Sequence, residues 1–232
     1  MELKRNTTVN TPIGPTDFEN NTMKTIFYWS LLLAFFLAGQ AAYGNYEKGK
    51  GEGKKVYVTA RHQASKIKID GKISPQEWGK DNWQSGFRQI RPQEGESASQ
   101  HTSFKIVYDN QSMYVAIRAL DEEAGGIVSR MAKRDHIDGD WVNITIDSYF
   151  DHRTAFAFSV SAAGVKGDWA VSDDGRKWDS SWDAIWFAET TRDANGWYTE
   201  MKIPLTQLRF AEKEQLTWGL QVMRHIFRND ER

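Results

Sequence analysis

The chain has 232 residues and a formal net charge of -1 at neutral pH, so it has room for one ordinary domain or one larger all-β domain. The balanced charge excludes both the basic field of a nucleic-acid-binding protein and an acidic field for a basic partner. The chain has no cysteine, which excludes disulfides, a cysteine nucleophile and cysteine-ligated zinc or iron–sulfur sites.

Three segments precede the predicted folded domain. Residues 1–22 are polar and without periodicity, which indicates disorder or a start codon placed too early. Residues 23–42 contain a short positive stretch, about thirteen apolar residues and then small residues, the pattern of a secretory signal peptide. A membrane anchor is the alternative, although the apolar run is short for one. Residues 43–55 form a Gly/Lys linker that cannot bury enough surface to order itself.

The folded domain is expected to span residues 56–232 and to be truncated before a C-terminal domain. Within it, short runs of alternating apolar and polar residues recur between turn signals. Thr102–Tyr108 and Ser112–Leu120 form the clearest hairpin, and Ser74 to Glu77 predicts a capping box with one helical turn. The other predicted strands are 56–60, 67–73, 86–90, 141–147, 155–161, 164–169, 185–191, 197–203 and 216–227, with 128–133 as a strand or a helical turn.

The strand at 141–147 is the best defined of these. Val142, Ile144 and Ile146 alternate with polar or aromatic residues, which predicts one apolar face toward a core. No window of the domain keeps a helical period, and many short strands at close spacing are typical of a β-sandwich or barrel. We therefore predict an all-β fold, an antiparallel β-sandwich of jelly-roll type with short helical turns.

Several motifs, in the same order along the chain, resemble carbohydrate-binding module family 9. They are Ile69-Asp70-Gly71-Lys72-Ile73 leading to Glu77-Trp78, Tyr108-Asp109-Asn110 followed by Met113-Tyr114-Val115, the strand from Asp140 to Asp147, and the segment from Gly196 to Pro204. Phe150-Asp151-His152-Arg153 and Gly164 to Asp168, among others, resemble exported bacterial proteins in which such a module precedes an outer-membrane-type β-barrel domain of unknown function. The resemblance covers residues 66–232.

The resemblance implies an exported β-sandwich that binds carbohydrate or polysaccharide, often with bound calcium, at the periplasm or outer membrane of a Gram-negative bacterium. In sugar-binding members two tryptophans sandwich a sugar ring. One of them aligns with Ile137, which cannot stack in the same way, and a glutamate of the following strand aligns with Asn143. The resemblance therefore supports the fold more strongly than it supports the ligand.

The acidic turn at residues 135–140 is the candidate metal site. Asp135, Asp138 and Asp140 place three carboxylates near one turn, and calcium takes roughly six to eight oxygen ligands. The spacing is not that of an EF-hand loop, and a solvated turn with Arg134 as ion-pair partner is the alternative. His136 has no companion histidine at ligand spacing, so a transition-metal site is not expected.

A tryptophan-rich polar loop between residues 169 and 183 is the candidate carbohydrate site. Indole rings stack on the C–H faces of sugars, and neighbouring carboxylates accept hydrogen bonds from hydroxyls. The alternative is that Trp182 and Trp186 fill the end of the sandwich as packing residues. The predicted carbohydrate-binding set is Trp169, Trp178, Trp182, Asp179 and Arg134.

No motif fixes a catalytic pair of carboxylates or a nucleophile with its base, and the chain has no G-x-S-x-G, H-E-x-x-H or phosphate-loop motif. We therefore expect a non-catalytic module that supports polysaccharide binding or catabolism. One alternative is a structural or interaction domain of an outer-membrane β-barrel protein without sugar affinity. The other is part of a glycoside hydrolase that acts on O-glycosyl compounds.

Overall fold

The computed structural model describes residues 55–61, 67–211 and 215–232. The chain divides into two units, Met1–Val56 and Tyr57–Arg232, and only residues 55 and 56 of the first unit are among those described. The predicted polar start, signal peptide and linker therefore lie outside the described residues, apart from residue 55. Within the described ranges, no helix has the length and apolar character needed to cross a bilayer.

Ten strands, one α-helix of four residues and three short 3-10 helices make up the regular structure in the described part of Tyr57–Arg232. The strands are β1 (Ala60–Arg61), β2 (Thr102–Tyr108), β3 (Ser112–Leu120), β4 (Trp141–Asp147), β5 (Ala155–Ser161), β6 (Lys166–Ser172), β7 (Lys177–Asp179), β8 (Phe187–Asp193), β9 (Gly196–Pro204) and β10 (Gly219–His225). The helix is α1 (Pro75–Trp78), and the 3-10 helices are Ala124–Gly126, Leu205–Gln207 and Phe227–Asn229.

The strands form two five-stranded sheets that pack as a sandwich, which confirms the predicted fold class. The first sheet has the order β1-β2-β3-β9-β8 and the second has the order β10-β4-β5-β6-β7. All strand pairs are antiparallel except β1 with β2, which is parallel. The second sheet is a meander from β4 to β7, with β10 added beside β4.

The hydrophobic core lies between the inward faces of the two sheets. Val115 and Ile117 of β3 pack in one cluster with Val142 and Ile144 of β4 and with Phe158 of β5. These side chains are fully buried, as the alternation in the 141–147 stretch predicts. Burial of such residues is the main favourable contribution to the stability of the fold.

A second, smaller cluster covers the opposite side of the first sheet. Trp78 of α1 packs with Val107, Tyr114 and Ala116, so both faces of β3 are largely buried. The helical turn with proline at its first position is confirmed, but the predicted capping box is wrong. The Ser74 hydroxyl donates to the Glu77 carboxylate at 2.6 Å instead of accepting from a backbone N–H.

Several strand predictions differ from the structure. Residues 67–73 alternate as a strand does, yet Asp70 and Gly71 donate their backbone N–H groups to the side chain of Glu200 rather than to a neighbouring strand. Residues 86–90 and 128–133 form only single β-bridges, because no neighbouring strand pairs with them along their length. Of the predicted 56–60 strand only Ala60 lies in a strand, as the first residue of β1, and β7 arises inside the segment predicted to be a loop.

Candidate functional site

The outward surface of the second sheet is floored by small side chains. Cross-strand partners share one face of a sheet, so the strand register decides which side chains point away from the core. Phe158 points into the core, and its chain neighbours Ala157 and Ser159 therefore point outward. We call this surface the outer face, and its central residues are Asn143, Thr145, Ala157, Ser159, Gly167 and Trp169.

Trp169 lies against the outer face because the residue two positions before it is glycine. A β-carbon at position 167 would lie only 2.5 Å from Cη2 of Trp169 and 3.2 Å from Cδ1 of Ile137. The six-membered ring of the indole therefore covers the α-carbon of Gly167. Any other residue at this position would push the ring off the sheet.

Trp178 stands beside Trp169 and meets it at an angle. It belongs to β7 and pairs with Val171, one strand out from Trp169. The two ring centroids are 6.1 Å apart, with an angle of 63° between the ring planes. The indole N–H of Trp178 donates to the carbonyl of Gly175 at 3.0 Å, and 47% of the residue is exposed. We call Trp169 and Trp178 the indole corner.

A fixed polar network borders the indole corner on β4 and β5. The side-chain amide of Asn143 donates to the hydroxyl of Ser159 at 2.8 Å, and the hydroxyl of Thr145 donates to the amide oxygen of Asn143 at 2.8 Å. These bonds orient the three side chains on the outer face. Asn143 and Ser159 are buried and Thr145 is partly exposed, so the network fixes the floor of the outer face and leaves only Thr145 open to solvent.

The predicted carbohydrate-binding residues do not all share this face. Trp182 packs its ring against Phe156 at 4.8 Å and Phe158 at 5.7 Å, which are core residues. Asp179 accepts hydrogen bonds from both the backbone N–H and the hydroxyl of Ser181. The structure thus brings Trp169 and Trp178 together, while Trp182 lies on the core side of the sheet.

Arg134 is held by ion pairs at the edge of the sandwich. Its guanidinium lies 2.6 Å from a carboxylate oxygen of Asp168 and 2.7 Å from one of Asp183, and it also donates to the carbonyl of Ala184. Asp168 is fully buried, and its other oxygen accepts the backbone N–H of Ala184. Arg134 therefore neutralises a buried carboxylate below the outer face.

The acidic turn does not present its three carboxylates to one point. Asp135 accepts the backbone N–H of Asp168 at 3.0 Å, and Asp138 pairs with Arg130 at 3.1 Å. Within residues 55–61, 67–211 and 215–232, no group of three or more histidine, aspartate or glutamate side chains is placed to hold a metal ion. As arranged, the turn does not fit a shared calcium site, and calcium binding stays a prediction.

Asp140, the third acidic residue of the turn, is fully buried. Its Oδ1 accepts backbone N–H groups from Val128 and Phe227, while Oδ2 has no hydrogen-bond partner among the described residues. Burial raises the pKa of Asp140, and the N–H of Val128 is the largest influence that opposes the shift. The carboxylate thus anchors two loops of the sandwich from inside the protein.

Gly167 and the pair of Asn143 with Ser159 are site residues that the sequence argument missed. A glycine two positions before a tryptophan in a predicted strand is a local signal, since both residues then lie on one face. The contact between Asn143 and Ser159 joins two strands and depends on their register. No local pattern carries that information.

The comparisons with known proteins agree with this fold. Residues 69–231 match the family model described as Carbohydrate family 9 binding domain-like. A carbohydrate binding module family 9 from Caldicellulosiruptor kristjanssonii in complex with glucose superposes with a TM-score of 0.51 at 17% identity, covering 74% of this chain and 78% of that one. One in complex with cellotriose gives a TM-score of 0.49 at 16% identity, covering 71% and 76%. No curated protein matches the chain.

Proposed function

Because this chain belongs to the carbohydrate family 9 binding domain-like family, we propose that it binds carbohydrate at the indole corner and does not transform it. The observation that carries the proposal is the corner itself. Trp169 lies over Gly167, and Trp178 meets it at 63° with about half of its surface exposed. Two indoles at such an angle offer an apolar floor and an apolar wall to one sugar ring.

The chemistry of the corner suits a pyranose. The N–H of Trp178 is already bonded to Gly175, so the ring of Trp178 presents mainly its apolar surface to a ligand. Apolar contact with the C–H face of a sugar is combined with hydrogen bonds from its hydroxyl groups. Thr145, which is partly exposed and is oriented by Asn143, is a polar group on the same face.

The stacking position is proposed to have moved in this chain. The family resemblance aligns Ile137 with a tryptophan of sugar-binding members, and its Cδ1 lies 3.2 Å from where a β-carbon at position 167 would be, on the side that the ring of Trp169 covers. The aliphatic side chain thus borders Trp169 on the outer face. We propose that Trp169 supplies the aromatic surface that Ile137 does not.

Glucose is the first sugar to test. A solved family 9 module that shares the fold is in complex with glucose, at 17% identity to this chain. This supports pyranoses as the ligand class without identifying the sugar. We further propose that the module acts after export, at the periplasm or outer membrane of a Gram-negative bacterium, in a longer protein that continues into a β-barrel domain. The apolar pattern at residues 23–42 supports export.

A glycan array followed by calorimetric titration of the full chain tests the proposal. Binding to at least one glycan is expected, and Trp178→Ala should weaken it by about fivefold or more through loss of stacking. Phe187→Ala is the matched control, because Phe187 is an aromatic residue of similar exposure on the other sheet. Failure to bind any glycan, or an equal loss in both variants, would contradict the proposal. Release of reducing sugar from a polysaccharide would show instead that the chain is an enzyme.

A further inference from the structure

The turn between β4 and β5 carries two exposed aromatic side chains beyond the indole corner. Tyr149 is 51% exposed and Phe150 is 46% exposed. Large apolar side chains on a loop usually pack onto the protein, and a pair left in solvent is a feature of binding surfaces. The turn follows Asp147, which points outward on the same face as Trp169.

The turn is held rigid by two carboxylates. Asp147 accepts the backbone N–H groups of Asp151 and His152, at 3.2 Å and 2.8 Å. Asp151 in turn accepts the N–H groups of Arg153 and Thr154, both at 2.8 Å. These hydrogen bonds, led by the one from the backbone of Thr154, hold the pKa of Asp151 below its usual value.

The backbone of the turn adopts a conformation that bulky residues rarely take. Phe150 has a φ of 55° and His152 has a φ of 60°, both in the left-handed region. The two rings contact each other with centroids 4.6 Å apart. Unfavourable backbone conformations persist where the surroundings enforce them, and they are concentrated at binding sites. Here they fix the direction in which Phe150 is presented.

The turn that carries Tyr149 and Phe150, which we call the aromatic turn, is connected to the indole corner through neighbouring strands of one sheet. Ala155, directly after the turn, pairs with Val171, and Val171 pairs with Trp178. Three strand spacings separate β4 from β7, about 14 Å in all. Ala155, which is partly exposed, and Val171, which is buried, lie in the row between the two aromatic groups. This separation is longer than one sugar ring.

Part of the charge near the turn is held within the protein, whereas Asp173, Arg176 and Lys177 are exposed before Trp178. Arg153 pairs with Asp174 at 3.3 Å, and the carboxylates of Asp147 and Asp151 accept backbone N–H groups. Because a hydroxyl group both donates and accepts hydrogen bonds, a neutral ligand rich in hydroxyls suits a surface that carries side chains of both signs. Aromatic groups at both ends of the row fit a ligand with more than one ring.

We propose that the outer face binds two or more consecutive rings of an oligosaccharide, with Tyr149 and Phe150 as a second stacking position beyond the indole corner. This inference rests on the proposed function, since it extends the same site. The affinity of the module then depends on the number of sugar rings in the ligand. A single sugar occupies the indole corner alone, and longer glycans also reach the aromatic turn.

Calorimetric titration of the full chain with glucose and with cello-oligosaccharides of increasing length tests this, alongside an array that carries each linkage type at several lengths. Affinity is expected to rise with ring number. The double variant Tyr149→Ala with Phe150→Asn should lower affinity for the longer members by about fivefold and leave the monosaccharide unaffected. Asparagine is chosen because it tolerates the left-handed conformation of position 150, and a melting curve confirms that the variant folds.

The outcomes separate the two proposals. If Trp178→Ala weakens binding while the double variant binds every glycan as the unaltered chain does, the second stacking position is refuted and the indole corner stands. A monosaccharide that binds as tightly as every longer member of its series also refutes the inference. If no glycan binds, both proposals fail together.

Discussion

Trp78 donates its indole N–H to the carboxylate of Glu200 across 2.6 Å, although 122 residues separate the two in the sequence. The other oxygen of Glu200 accepts the backbone N–H groups of Asp70 and Gly71, at 3.0 Å and 2.8 Å. One buried carboxylate thus fastens residues 69–78 onto the outward side of the first sheet. It also links two motifs that carry the family resemblance, since Glu200 lies between Gly196 and Pro204.

Glu200→Ala should destabilise the protein by about 3 kcal/mol, because it leaves two buried N–H donors and one partly buried N–H donor without their acceptor. Glu200→Gln, which keeps one acceptor oxygen, should cost less. Chemical denaturation measures both. Glu189→Ala is the matched control, since Glu189 pairs with Glu200 across the neighbouring strand but is exposed, and its change should stay within about 0.5 kcal/mol. Equal losses at the two positions would argue against the role of Glu200.

The stability contribution of Glu200 should depend on pH with a definite sign. Burial raises the pKa of Glu200 above its ordinary value of 4.5, so the folded protein retains a proton that the unfolded chain has released. Stability from this group is therefore greatest below pH 4.5 and decreases as the pH rises through the raised pKa. Denaturation across this range should show that decrease in the unaltered chain relative to Glu200→Gln. An opposite slope would mean that the hydrogen bonds outweigh burial.

Gly167→Ala should disturb the indole corner. The added carbon meets the Trp169 ring at 2.5 Å, so the ring must leave the sheet, and we expect a loss of about 1–2 kcal/mol of stability. Sugar affinity should fall with it, as measured by titration. Gly125→Ala serves as the control, because a β-carbon there meets nothing within 4 Å. Unchanged affinity in Gly167→Ala would show that the position of Trp169 does not matter for binding.

Asp168→Ala should destabilise the protein by about 3–5 kcal/mol, since it removes the buried partner of Arg134 and the acceptor for the backbone N–H of Ala184. Asp183→Ala removes the other carboxylate that pairs with Arg134, but that side chain is 74% exposed. Its loss should change stability by less than about 1 kcal/mol. Denaturation of the two variants compares a buried and an exposed ion pair on one arginine, and similar losses would contradict this account.

The calcium prediction is tested by melting the full chain with calcium and with a chelator. A bound ion stabilises the folded state in proportion to the logarithm of its concentration once that exceeds the dissociation constant, so the melting temperature should rise with added calcium. Asp138→Asn should remove the rise if the acidic turn is the site. Magnesium serves as the control ion. No shift with calcium would refute the prediction.

Strands were predicted well where the alternation of apolar and polar residues runs along a neighbouring strand that pairs with them. Residues 102–108, 112–120, 141–147 and 155–161 have the bounds that their periodicity indicates. The 67–73 stretch has the same periodicity but is not a strand, because its N–H groups bind Glu200, 130 residues away. Local alternation shows that a segment is extended with one apolar side, and it does not show which acceptor its backbone will find.

The tryptophans of the candidate site also show the difference between what local sequence indicates and what the tertiary structure decides. Trp169 and Trp182 are thirteen positions apart in one tryptophan-rich region, and both suited a sugar site by composition. Trp169 faces outward because its partner across the sheet is Ala157, and Trp182 packs against Phe156 and Phe158 on the core side. Strand register and the return of the loop over the core decide these positions.

The sequence by itself determined the all-β class, the inward side of β4 and the family resemblance, because period-two alternation and short motifs are local properties. Only the tertiary structure decided that Trp169 covers Gly167 beside Trp178, and that Tyr149 and Phe150 are left exposed on the turn after β4. The physical reason is that these contacts join strands whose register is set by packing of the whole sandwich. The stretch at 141–147 contributes to the core and to the outer face. Its apolar residues point into the core, and Asn143, Thr145 and Asp147 point outward.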